Sequence, residues 1–100
     1  MTSSLNVVTL VAIKVTFDPA KDAANRVKHG LSLAEAGRLE WNTALIEEDD
    51  RRNYGEARML AIGYIGHRLY FVVFVERDGV RRIISLGKAN PREYLRYAKA

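Results

Sequence analysis

Cysteine is absent from the 100-residue chain. That excludes a disulfide framework, a cysteine-ligated zinc site, an iron–sulfur cluster and a thiol nucleophile. A small domain without such staples is expected in the cytoplasm. Histidine is scarce, and His29 with His67 is too few for a multi-histidine metal site. Metal chemistry would have to rest on carboxylates. The run Glu47-Glu48-Asp49-Asp50 lacks metal-ligand spacing and reads as a solvated acidic loop, so no metal and no other cofactor is expected. Long apolar runs are missing too. Residues 5–15 fall well short of the roughly 20 residues of a membrane helix, and no basic segment precedes them, so neither a span nor a signal peptide is expected. There is no repeat, no low-complexity tract and no linker.

What is present is an ordinary globular composition, 48% apolar and 28% charged. This length accommodates one hydrophobic core, so residues 1–100 are expected to form a single domain, with residues 1–5 as a flexible N-terminal extension. The charge is unevenly spread: residues 1–50 carry a net −3 and residues 51–100 a net +7. Most of the cations are arginine, the side chain that grips phosphate with two prongs. The basic half suggests an anionic partner, nucleic acid first, while a basic domain with no such partner remains open.

Residues 7–17 read as a strand rich in β-branched side chains. Asp18-Pro19 then gives an N-cap followed by a proline at the first helical position, and Gly30 gives a left-handed stop, so a helix is expected over 19–29. Ala20, Ala23, Ala24 and Val27 share one face and imply close packing on a neighbour. Lys21, Asn25 and Lys28 share the other, with His29 beside them. Ser32 and Glu35 have capping-box spacing for a second helix ending near residue 42. Strands are expected over 43–47, 58–65, 68–77 and 80–86. Gly66-His67 and Asp78-Gly79 supply tight turns, and residues 48–56 form a charged loop. Asn90-Pro91 with Glu93 repeats the cap-and-proline signature for a closing helix. The expected fold is an α+β single domain, β-α-α-β-β-β-β-α, with an antiparallel sheet carrying its two N-terminal helices on one face.

Four blocks stand in a distinctive order. They are Phe17-Asp18-Pro19-Ala20-Lys21 with Asn25 and Lys28-His29-Gly30; Gly55-Glu56-Ala57-Arg58 leading into Ala61-Ile62-Gly63; Glu76-Arg77; and Arg82-Ile83-Ile84-Ser85 with Lys88-Ala89, Arg92-Glu93 and Tyr97. Together, over residues 14–97, they resemble the BrnT family, the toxin half of BrnT–BrnA type II toxin–antitoxin systems. The resemblance implies a RelE-like fold and a metal-independent endoribonuclease that inhibits translation. It also implies neutralisation by a BrnA-like antitoxin that binds DNA, so operator DNA is met only through that partner. Two positions depart from the family pattern. Phe17 replaces a tryptophan, which is a packing change. Gly87 stands where the pattern carries an arginine, which implies an alternative: an attenuated copy acting only as an antitoxin-binding module.

Cutting RNA without a metal needs a base for the 2′-hydroxyl, an acid for the leaving 5′-oxygen and cations on the phosphorane. His29 is a candidate base in a cationic setting, histidine being the side chain that titrates near neutrality; capping of helix-end carbonyls is its plainer role. Glu56 is a second candidate base, or else a surface ion pair with Arg58 or Arg51. Arg77 and Arg82 flank the Asp78-Gly79 turn and either meet phosphate or pair with Glu76 across the strands. Lys28 completes the catalytic set, and Lys21, Arg58 and Lys88 are candidate phosphate contacts; for Lys21, Asn25 and Lys28 a solvated helix face is the alternative. Arg82 shares its face with Ile84, but Ile83 and Ile84 are adjacent, so either face of that strand could be the core. Tyr94 and Tyr97 read as packing residues, and His67 is assigned no role. The edge formed by Leu45, Ile46 and residues 60–65 is a candidate antitoxin surface.

Overall fold

A computed structural model describes residues 13–49 and 55–100. The first part of the expected N-terminal strand, the expected extension over residues 1–5 and the centre of the charged loop lie outside these. The elements are β1 (Lys14–Phe17), α1 (Pro19–His29), β2 (Leu45–Asp49), β3 (Arg58–Ile65), β4 (Arg68–Arg77), β5 (Val80–Lys88) and α2 (Pro91–Lys99). Five strands form one sheet in the order β1-β5-β4-β3-β2. β2 to β5 run as an antiparallel meander, and β1 pairs parallel with β5 at the far edge. The protein is therefore a small α+β domain with a mostly antiparallel sheet.

The caps of α1 form as the sequence dictates. Asp18 is extended and its carboxylate accepts from the Ala20 N–H at 3.1 Å, while Gly30 turns left-handed at φ 73°. The face of α1 turned inward is not the alanine face. Ala20, Ala23, Ala24 and Val27 are exposed, and the buried residue of the helix is Asn25. Hydrogen bonds decide this orientation. The Asn25 amide donates to the Leu86 carbonyl at 2.9 Å and to the Leu31 carbonyl at 2.9 Å, and its oxygen accepts from the Leu86 N–H at 3.1 Å. β1 pairs with β5 only as far as Ile83, so Asn25 supplies the pairing that a longer neighbour strand would give Leu86. Three residues earlier, Asp22 accepts from the Leu33 N–H at 2.7 Å, the Ser32 hydroxyl at 3.0 Å and Arg26 Nε at 3.0 Å. The Leu33 N–H foremost, with Arg26 and Ser32, holds the Asp22 carboxyl below its ordinary value against an opposing desolvation.

The second expected helix is a 3₁₀ segment, Leu33–Arg38, followed by a 3₁₀ turn at Trp41–Thr43. Its buried residues, Leu33 and Ala36, and the buried Leu39 that follows it are spaced three apart, which matches three residues per turn rather than 3.6. Ser32 does cap the segment, its hydroxyl accepting from the Ala34 N–H at 3.1 Å and donating to Asp22, but Glu35 pairs with Arg38 at 2.8 Å instead of closing the capping box.

Register assigns the two faces of the sheet. Val72, Phe74 and Ile83 point to one side and pack with Leu33, Ala36 and Trp41 as the main core. The Trp41 indole donates to the Ala36 carbonyl at 3.0 Å and meets Phe74 edge-on. Arg81, on the same side, lies 4.6 Å over the Trp41 ring. The opposite side carries Leu60, Ile62, Leu69, Phe71 and Val73. α2 covers part of it, with Tyr97 and Ala89 packed on Ile62 and Leu69. The adjacent Ile83 and Ile84 are resolved by a bulge: Phe74 pairs with Ile83 and Val73 with Ser85, leaving Ile84 as the extra residue. Ile83 enters the main core at 0% exposure, and Ile84 turns toward the other side.

α2 has its full capping box, Asn90 accepting from the Glu93 N–H at 2.8 Å and Glu93 accepting from the Asn90 N–H at 2.9 Å. Tyr97 fulfils its packing role, edge-on to Tyr64 and donating to the Thr43 carbonyl at 3.2 Å; Tyr94 does not, and lies exposed. The expected acidic loop is also revised, because Glu47, Glu48 and Asp49 belong to strand β2. Glu47 is ion-paired with Arg96 of α2, and Asp49 stands opposite Arg58 in register. These opposite charges across neighbouring elements extend the strand past residue 47.

Candidate functional site

The side of the sheet that α2 leaves uncovered forms a groove of about 540 Å³. Its floor is apolar: Leu60 of β3, Phe71 and Val73 of β4, and Ile84 of β5, with the Ser85 hydroxyl among them. One wall is the C-terminal end of α1, which contributes Lys28 and His29. Another is α2, which contributes Arg92 and Arg96 on successive turns, together with Asn90 and Glu93. Arg58, Glu48 and Asp49 close the end formed by β2 and β3. Four cations thus converge on an apolar floor, beside a few carboxylates.

His29 is half-buried and is the last residue of α1. Its imidazole meets the Phe71 ring edge-on, with centroids 5.6 Å apart and planes at 79°. Gly87 lies beneath the pair and is buried. The groove therefore joins Lys28, His29 and Arg58 of the residues expected from sequence. It does not take in the others. Lys21 is exposed two helical turns before Lys28. Glu56 and Arg77 are paired with one another through both carboxylate oxygens, at 2.5 and 2.8 Å, outside the groove. Arg82 stands opposite Val75, which puts it on the groove side of the sheet beyond Ile84. Lys88 stands opposite Tyr70, on the other side of the sheet from Phe71. Glu76 pairs with Arg81 at 3.7 Å, not with Arg77 or Arg82.

Sequence reasoning missed Arg92, Arg96, Ser85 and Phe71 as lining residues. The two arginines carried a readable signal, four residues apart on a capped helix in the basic half. Ser85 carried none, because the bulge at Ile84 decides which residues of β5 face the groove, and Phe71 carried none, because the continuous apolar run of β4 has no alternation to mark a face. Among the described residues, no three His, Asp or Glu side chains gather to hold a metal ion. No helix among them is long and apolar enough to cross a membrane.

Chemically, the groove offers an imidazole flanked by cations, next to an apolar floor. The family model of the ribonuclease toxin, BrnT, of type II toxin–antitoxin systems matches residues 17–93. No curated protein matches the chain.

Proposed function

Because the chain belongs to the BrnT family, ribonuclease toxins of type II systems whose partner is a protein antitoxin, we propose that it is a metal-independent endoribonuclease acting through this groove. The fold is read as RelE-like, the setting as the cytoplasm and the consequence as arrest of translation. The convergence of Lys28, His29, Arg58 and Arg92 on one groove carries the reading. In the reaction, the 2′-hydroxyl of one ribose attacks the adjacent phosphorus, its proton passes to a base, and the 5′-oxygen leaves with a proton. The products are a 2′,3′-cyclic phosphate and a free 5′-hydroxyl. His29 takes the proton of the 2′-hydroxyl, solvent water supplies the proton of the leaving 5′-oxygen, and Lys28 and Arg58 stabilise the charge building on the phosphorane. Arg92 holds a flanking phosphate, and Arg82 extends the cationic track along β5. Glu56 orients Arg77 by its two-oxygen contact, which favours His29 over Glu56 as the base. Lys21, two helical turns before Lys28, and Lys88, on the other side of the sheet, take no part in the bond cleavage.

A BrnA-like antitoxin neutralises the toxin, and operator DNA is reached only through that partner. The test is expression of the chain without an antitoxin. Growth arrest with fragmented RNA, relieved by His29→Ala, is the expected result. A folded, well-expressed parent chain that leaves growth and RNA intact would overturn the reading.

A further inference from the structure

Gly87 is buried on β5 and stands opposite Phe71 in register. A Cβ at this position would lie 2.5 Å from Cε2 and 2.9 Å from Cζ of Phe71, and 2.9 Å from Nδ1 of His29. All three are well inside the roughly 3.5–4.0 Å of ordinary carbon contact. Withdrawing α1 would not relieve them cheaply. Asn25 fastens that helix to Leu86, the residue next to Gly87, through both its amide and its oxygen. One turn after Asn25, the helix delivers His29 onto β5 directly over Gly87. Swinging the Phe71 ring out into the groove would relieve its part of the contact only by taking away the surface that the imidazole meets edge-on.

We propose that Gly87 is a positioning residue for His29: with Phe71 standing opposite it in this chain, only the missing side chain lets the last turn of α1 seat its imidazole on β5 against that ring. The absence of a side chain here is therefore a condition of the site's geometry. In this chain, with Phe71 in place, the arginine of the family pattern would displace both rings before its guanidinium reached any phosphate. This inference rests on the reading of His29 as the residue that moves the proton.

The experiment compares the parent chain with Gly87→Ala. NMR follows the cross-peaks between the His29 and Phe71 rings, and RNA cleavage is resolved into kcat and KM. The expected result is loss of the ring cross-peaks and a fall in kcat of about tenfold or more, with KM little changed, because a small displacement of a reacting group acts on the chemical step. Unchanged cross-peaks and unchanged kcat would overturn the proposal. Should Gly87→Ala not fold, Phe71→Leu/Gly87→Ala removes the ring atoms that the new methyl would meet but leaves the methyl facing His29. That double variant should cleave more slowly than Phe71→Leu alone, and equal rates would overturn the proposal. A parent chain that cleaves no RNA would sink the ribonuclease reading, and the ring cross-peaks would then decide on Gly87 by themselves.

Discussion

Asp22 and Asn25, one helical turn apart, show how much of this molecule hangs on single polar side chains. Asn25 replaces a missing strand neighbour for Leu86, and Asp22 fixes the start of the 3₁₀ segment through the Leu33 N–H. The pH dependence of the second contact has a definite sign. The Asp22 carboxyl is held below its ordinary value near 3.8, so the folded state favours its charged form. Its stabilisation is present above 3.8 and is lost as pH falls through the lower folded value. Asp22→Asn should accordingly lower the melting temperature at neutral pH. The gap to the parent chain should narrow as the pH falls below 3.8, measured by circular dichroism across an acid series. A gap that widens on acidification would contradict the assignment. None of this was legible from helical spacing. The alanines of α1 suggested the buried face, yet the inward face is chosen by hydrogen-bond partners far away in sequence. Gly87 is a similar case, since its meaning depends on Phe71 and His29, which approach it from other elements.

At the scale of elements, local chemistry was read well where it is self-contained. The ends of α1, the capping box of α2, and strands β3 and β4 with their turns all follow from residues within a few positions of one another. The three-residue apolar spacing after Ser32 was there to be read, but a capping-box pattern pointed to an α-helix. The acidic string hid the last part of β2, because the charges that make it a strand lie on β3 and α2. α2 has no fully buried residue, and its cap, the Tyr97 contacts and the pair between Arg96 and Glu47 hold it in place. Asn90→Ala removes the cap and should cost about 1 kcal/mol in urea unfolding. Amide exchange should quicken across α2 far more than in β4, since a weakly buried helix frays locally. Equal protection in parent and variant would show that the cap does not hold the groove wall.

For the whole molecule, the charge asymmetry along the chain turned out to be spatial: Arg58, Arg92 and Arg96 of the basic half surround the groove with Lys28 of the acidic half. The parallel pairing of β1 with β5 brings α1 back across the sheet and delivers Lys28 and His29 to that groove. Pairing between such distant segments leaves no local signature, so the sequence could name Lys28, His29 and Arg58 without saying that they meet. It also grouped Glu56, Arg77 and Lys88 with them: Lys88 faces the other side of the sheet, while Arg77 is on the groove side but beyond its lining, paired with Glu56, and neither fact is visible from proximity to a strand end. The central claim is that this groove cleaves RNA through His29 with no metal. The most direct measurement is in vitro cleavage of RNA by the purified chain in EDTA, beside His29→Ala and Lys28→Ala. Cleavage that persists in EDTA and falls by about a hundredfold or more in His29→Ala is the predicted result, the scale expected for losing a general acid–base group. Cleavage abolished by EDTA and restored by a divalent cation, or a His29→Ala variant as fast as the parent chain, would contradict it.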